Sequence, residues 1–514
     1  MGTAPNLMNS TAGEGGTDSG AAWWSSTTAV LVYMALGTVL LHAIVGNRYG
    51  FHCDELATLE DARHLAWGYP AYPPITPFFG RLSLILFGTS LAGFRFFASL
   101  AHASSVILTG LMAREFGGGR KAQLLAGVST LPFVIGGGAL MQYVSFDFAA
   151  WVLAAYFIAR LLKSGDPRWW LAVGSSIGLG MLAKYTMGFF TLAIVAAVLL
   201  TDARRYLKSK WLWLGVACSL LIFLPNLLWQ AHHHFISLVF LQHIHARDVS
   251  QGKTRVFVPA QIEMTFQPLD VAGLYFFLLA RQGRRFRMMG WMYVVTLALM
   301  LALKGRHYYL FPAYPMLYAA GAVWGEGWAA TLRPGQAQWA WSTARWWLAS
   351  SVVVACAFFL PFAPINSAWW RISDTLQENY RSQIGWPEMV QEVAKIRDSL
   401  APGERTHLGI LATTYGEAGA INLFGPHYGL PRATSGINSF WQRGYGDPAP
   451  QTVIVLGQTH EFLNEYFTAC RLAGHVWNQY SLVNDEVRWH RDIFVCGQPK
   501  LGWPEFWKNF QYFG

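Results

Sequence analysis

For its first 364 residues the chain alternates long apolar runs with short polar stretches, and then the pattern changes. A helix that crosses a bilayer needs about 20 mostly apolar residues. Runs of this kind fall at Thr27–Gly46, Gly93–Met112, Ala122–Leu140, Phe146–Leu162, Trp169–Leu182 and Thr186–Thr201. Others fall at Trp211–Trp229, Leu269–Ala280, Met289–Leu303, Leu310–Val323 and Trp346–Phe362. The pattern predicts a polytopic α-helical membrane protein of about 11 spans, or up to about 13 if shorter segments also cross. Ile75–Phe87 reads as an additional interfacial helix. The first run is too long for a signal-peptide core and has no basic flank before it, so it reads as a retained span. Residues 1–26, dominated by Gly, Ser and Thr in their first part and free of Lys and Arg, read as a disordered tail.

From Ile365 onward the periodicity is that of a soluble domain. Trp386–Leu400 places Met389, Val390, Val393, Ile396 and Leu400 on one helical face, with Pro387 in the first turn. His407–Ala412, Thr452–Leu456 and Asp492–Cys496 read as buried strands, and Glu417–Leu423 and His460–Phe467 as helices. The division is therefore a tail (1–26), a transmembrane domain (27–364, with a first outer loop over 47–92) and an α/β domain (365–514).

Composition agrees with a membrane protein: 53% of residues are hydrophobic, 13% are charged, and the mean hydropathy is +0.28. The net charge of +10 is unevenly placed. From Ile365 the chain holds 12 Lys and Arg against 14 Asp and Glu, so the whole positive excess belongs to the helical part. That excess lies in alternate loops around Arg114, Arg120, Lys163, Arg204, Lys208, Arg284, Arg287 and Arg333. Such loops face the cytoplasm, which reads the charge as topology rather than as nucleic-acid binding. The first span disagrees, with Arg48 on its far side and no basic residue before it, but five loops outweigh one flank. The N-terminus is thus expected inside and the α/β domain outside. There Cys470 and Cys496 could pair in an oxidising compartment, whereas Cys218 and Cys356 fall in apolar runs as packing residues.

The opposite loops hold the unusual residues. Asp54, Glu55, Glu60, Asp61 and Tyr72-Pro73-Pro74 follow the first span, Asp147 and Lys184 lie at span ends, and Lys304-Gly305-Arg306-His307-Tyr308-Tyr309 joins two spans. An ionisable group at a membrane edge is costly unless solvated, paired or in use. Acids, cations and aromatics converging on one face suit transfer of a sugar from a phosphate carrier. The acceptor hydroxyl needs a carboxylate to take its proton, and the leaving phosphate needs fixed cations. Asp54 fits as base, with Glu55 and Asp147 as further acids. Lys184, Arg306 and His307 fit as phosphate partners, and Tyr72, Tyr308 and Tyr309 as sugar or acceptor contacts. Carboxylates beside a lipid phosphate could also hold a divalent cation, and the metal question stays open on sequence. His232, His233, His234, His243 and His245, in the stretch 230–258 read as an outer loop, contain a His-x-His spacing; without Cys or close carboxylates it reads more as polar surface than as a metal site.

These residues resemble the GT-C glycosyltransferases of family 39, which include protein O-mannosyltransferases and aminoarabinose transferases. The resemblance is carried by Asp54-Glu55, Gly68-Tyr69 with Tyr72-Pro73-Pro74, Arg95 with Ser99, Asp147, and Ala183-Lys184-Tyr185. It continues through Tyr308-Tyr309, Pro312 and Tyr314-Pro315 to Gly416-Glu417-Ala418-Gly419-Ala420, Tyr428-Gly429-Leu430-Pro431 and Ser435-Gly436 to Trp441. It implies an inverting transferase of the bacterial cytoplasmic membrane that uses a polyprenyl-phosphate sugar and acts on a glycan, lipid or protein acceptor. Asp54 would match the base and Asp147 the second acid. Several members carry a Lys directly before the Pro-Pro pair, where this chain has Tyr72, so the phosphate burden shifts toward Lys184 and the Arg306 region. A transporter and a catalytically inactive scaffold are the alternatives. A transporter would place its charges near the bilayer midplane in broken, repeated helices, and no such repeat is evident.

Overall fold

The computed structural model describes residues 25–514 apart from residue 378, so the tail expected over 1–26 lies almost wholly outside the described residues. Each of the long apolar runs contains an α-helix. Thr27–Val45, Leu91–Glu115, Tyr143–Ser164, Lys210–His232 and Pro334–Phe359 are each long and apolar enough to cross a membrane, and a sixth such span arises if Met187–Leu200 is joined to the sharply bent turn after it. The remaining apolar helices are shorter, among them Trp169–Ala183 and Ile75–Phe87. Two expectations shift. The run Leu310–Val323 begins in a 3-10 turn, His307–Ala313, and becomes α-helical only at Tyr314, because Pro312 lacks an amide donor and Pro315 suits only a first helical turn. The stretch 230–258 is not an open loop: Ile236–Ser250 is a helix and carries His243 and His245.

Glycine sets how closely two of the helices approach. A Cβ on Gly174 would stand 2.0 Å from the carbonyl oxygen of Gly215, and one on Gly215 would stand 2.3 Å from that of Trp170. Only bare backbone allows Trp169–Ala183 and Lys210–His232 to meet there, the small-residue contact common between membrane helices. A broad apolar core built around Trp151, Phe190, Phe276, Phe277, Tyr314 and Tyr318 fills the bundle.

The C-terminal part forms a five-stranded sheet from β1 (Leu408–Leu411), β2 (Ala433–Thr434), β3 (Thr452–Leu456), β4 (Arg471–His475) and β5 (Asp492–Cys496), in the order β2-β1-β3-β5-β4. β1 pairs in parallel with β2 and β3, whereas β5 is antiparallel to both β3 and β4. Cys470 and Cys496 are joined in a disulfide beside the β4 edge. This unit shares its core with the helix Cys53–Arg63 and the start of Leu91–Glu115: Leu56, Leu59 and Phe94 pack in one cluster with Trp386, Met389 and Ile421. Gly419 lies directly on Leu56, where a Cβ would come within 2.8 Å of the leucine Cβ. Two parts that the sequence suggests are separate domains therefore bury one surface between them, and the site lies beside that junction.

Candidate active site

A cavity of about 500 Å³ opens where the first-loop helix, the start of Tyr143–Ser164, the Lys184 turn, the Lys304–Tyr309 segment and the C-terminal unit meet. Its walls include Asp54, Tyr72, Lys184, Arg306 and Tyr309 among the residues singled out from sequence. Glu55, Asp147, His307 and Tyr308 are not among the residues that line it.

Asp54 is the second residue of the helix Cys53–Arg63. The His52 ring accepts its backbone N–H, and the Glu55 carboxylate accepts the His52 N–H, which fixes the helix start. The Asp54 side chain is 39% exposed and faces the cavity. Tyr415 Oη donates to Oδ1 at 2.9 Å and Gln142 Nε2 to Oδ2 at 2.9 Å, so each oxygen is oriented and still has lone-pair capacity. The charge of Asp54, with burial, pushes the Tyr415 phenol well above its usual range and keeps it a donor.

Glu55 points the other way. It is fully buried, and its oxygens receive Arg95 Nε at 2.8 Å, Arg95 Nη2 at 2.6 Å, and the N–H groups of Met141 and His52 at 2.8 and 2.9 Å. Burial opposes its ionisation, but the Arg95 charge and these hydrogen bonds overcome it and hold the carboxyl below the ordinary glutamate range. Instead of reaching the cavity as a second acid, Glu55 anchors the loop. Asp147 is also enclosed. Trp151 Nε1, one turn along the same helix, donates to Oδ1, and Thr186 Oγ1 donates to Oδ2, each at 2.9 Å. No cation lies within ion-pair distance of Asp147 among the described residues; a neighbouring indole and hydroxyl satisfy it instead.

The two cations differ sharply. The Lys184 ammonium lies over the rings of Tyr309, Tyr308 and Tyr143 at 4.2, 4.8 and 4.9 Å, with no carboxylate within ion-pair distance among the described residues. Rings stabilise the cation without neutralising it. Arg306 is held by Asp248 through two hydrogen bonds, with Nη2 to Oδ1 at 2.8 Å, and reaches Tyr308 Oη at 3.3 Å. His307 packs its ring against Tyr308 and Phe311, and its backbone carbonyl accepts from Gln261. Tyr308 thus acts as a ring under Lys184 and does not line the cavity.

Tyr72 lines the cavity, yet its hydroxyl donates to Asp61 at 2.6 Å. Asp61 also receives Ser439 Oγ at 3.1 Å and Arg443, while Glu60 receives Arg432. The Tyr72-Pro73-Pro74 turn therefore supplies an aromatic wall and no cation. Sequence reasoning missed Tyr415, Gln142, Tyr143, Asp248, Ser439 and Arg443. Tyr415 directly precedes the Gly416–Ala420 motif and Ser439 lies within the stretch from Ser435 to Trp441, which was the available signal.

Among the described residues two clusters could hold a metal ion: His52, Cys53 and Asp54 at the cavity edge, and Glu417, Glu486 and His490 in the C-terminal unit. Burial, with the charges of Asp54 and Glu486, pushes the Cys53 thiol well above its ordinary value, which disfavours the thiolate a metal needs. The histidines His232, His233, His234, His243 and His245 are in neither cluster.

Residues 71–229 match the family model of dolichyl-phosphate-mannose-protein mannosyltransferase. The lipopolysaccharide core galacturonosyltransferase RgtB of Rhizobium johnstonii is 32% identical over 188 residues, which is 35% of this chain and 37% of that protein, so the match spans little more than a third of the relative. The crystal structure of ArnT from Cupriavidus metallidurans bound to undecaprenyl phosphate superposes with a TM-score of 0.55 at 16% identity, covering 90% of this chain and 97% of that one. The apo form of the same enzyme gives 0.54 at 15% identity, covering 91% and 98%. Sequence motifs, family model and architecture agree: this chain has the GT-C fold of the PMT- and ArnT-like glycosyltransferases.

Proposed function

We propose that this protein is an inverting membrane glycosyltransferase that moves a sugar from a polyprenyl-phosphate donor to an acceptor hydroxyl at the outer face of the cytoplasmic membrane. The observation that carries this reading is the pairing, on one cavity, of a reachable carboxylate, Asp54, with an uncompensated ammonium, Lys184. In a single displacement the acceptor oxygen attacks the anomeric carbon as Asp54 takes its proton. The carbon–oxygen bond to phosphate breaks on the opposite side, and its electron pair goes to the phosphate oxygen. That developing charge falls to Lys184, while Tyr309 and Tyr72 supply aromatic surface for sugar or acceptor. Tyr415 and Gln142 aim the Asp54 carboxylate, and Glu55 fixes the helix that carries it.

The undecaprenyl phosphate bound to ArnT supports a lipid-linked donor, and the name of RgtB supports an envelope glycolipid as acceptor. The topology that goes with this reading has about 11 spans, a cytoplasmic N-terminus and an extracytoplasmic α/β domain over 365–514. The Cys470–Cys496 disulfide supports that side for the domain.

The test is Asp54→Asn in the full-length protein. Transfer should fall by about 10²–10⁴-fold, with membrane insertion and thermal unfolding unchanged, and the matching glycolipid should vanish from envelope mass spectra. Full transfer by the variant would remove Asp54 as base, and an unchanged envelope inventory in its absence would favour the transporter or scaffold.

A further inference from the structure

The Glu417, Glu486 and His490 cluster lies behind the cavity wall and plays no part in the chemistry above. Its candidate ligand atoms lie within 4.8 Å of one another. Glu417 is fully buried. Its Oε2 accepts the backbone N–H groups of Thr413 and Thr414 at 2.8 and 2.9 Å, which fixes the plane of the carboxylate. Its Oε1 accepts no hydrogen bond, although it is sealed from solvent. That oxygen faces His490 Nδ1 at 4.0 Å, and the same nitrogen lies 3.2 Å from Glu486 Oε2. Thr414 Oγ1 reaches Glu486 Oε1 at 3.5 Å. On the remaining side stands Gly457, where a Cβ would come within 2.9 Å of Glu417 Oε1.

A buried carboxylate oxygen with no donor is costly, and two such carboxylates side by side cost more unless positive charge lies between them. One imidazole cannot fully neutralise two carboxylates. Two carboxylate oxygens and one imidazole nitrogen form a ligand set for borderline divalent ions, and the backbone donors to Oε2 supply the outer hydrogen bonds that orient such a ligand. We propose that Glu417, Glu486 and His490 form a structural site for a zinc-class divalent cation. Bound there, the ion ties the short helix Asp485–Trp489 to the start of Tyr415–Phe424, the helix whose first residue reaches Asp54. This site stands on its own ligands and does not depend on the glycosyl-transfer reading.

The test uses the full-length protein in detergent, stripped with a chelator and then equilibrated with zinc chloride or with buffer alone. Metal content after desalting is measured by plasma mass spectrometry, and unfolding by tryptophan fluorescence. The wild type should retain one zinc per chain and melt at a higher temperature with zinc than without. Glu417→Gln and His490→Ala should lose both effects, and His52→Ala, at the other cluster, should keep them. His490 is partly exposed, so its variant answers the question if Glu417→Gln fails to fold. Wild type that retains no zinc, or His490→Ala that retains as much as wild type, would overturn the site and leave a carboxyl pair sharing a proton.

Discussion

Lys184 and Arg306 line the same cavity, yet one is left open and the other is clamped. Three aromatic rings surround Lys184 and take none of its charge, whereas the two hydrogen bonds from Arg306 to Asp248 neutralise the guanidinium. The adjacent acids Asp54 and Glu55 repeat the contrast, because Asp54 faces the cavity through two neutral donors while Glu55 is consumed by Arg95. Charge type thus says little about role. What separates a reacting group from a structural one here is whether the fold has already answered its charge.

The sharpest way to break this comparison is to substitute both cations. Lys184→Met should lower kcat/KM by about 10²–10³-fold, the usual cost of one donor to a developing anion, with unfolding unchanged. Arg306→Met should cost far less in transfer and should show mainly in thermal unfolding, because it takes from buried Asp248 its hydrogen-bonded partner and leaves only Arg247 at 3.9 Å; equal losses of activity would end the distinction. For the acids, Glu55→Gln should destabilise the fold by about 3–5 kcal/mol, the range for breaking a buried pair, measured by denaturant unfolding in detergent. The sign with pH follows from the lowered Glu55 value: its stabilisation is fully present above the ordinary glutamate range and is lost as pH falls through the folded value. Wild type should therefore lose stability on acidification more steeply than Glu55→Gln does, and parallel curves would count against the pair. Tyr415→Phe removes one of the two donors to Asp54 and should reduce kcat by about tenfold, equivalent to one net hydrogen bond, with KM little moved. The smallest effect belongs to His307→Ala, expected to stay within about threefold of wild type, since a change of ~0.5 kcal/mol is typical away from strained or paired features.

Much of the architecture was legible because burial leaves local patterns. The apolar runs became helices, Ile75–Phe87 is helical as well, and β1, β3 and β5 read as strands because helices cover both of their faces. β4 escaped notice as an exposed edge, and β2 as a pairing of only two residues, Ala433 and Thr434. The helix Ile236–Ser250 was hidden because its histidines resemble a polar loop. At the site Asp54 and Lys184, which line the cavity, could be named, but their partners could not. Asp248 lies 58 residues from Arg306, and Gln142 lies 88 residues from Asp54, so no spacing along the chain betrays either pair. Which charges are answered is a property of tertiary packing alone.

Tyr415 stands 361 residues after Asp54. A nascent chain inserts its helices long before that tyrosine leaves the ribosome, so during synthesis the carboxylate lacks one of its two donors and the cavity one of its walls. Arrival of the last quarter of the polypeptide completes the machinery, which ties competence to finished translation: a prematurely terminated product would occupy the bilayer without its working geometry.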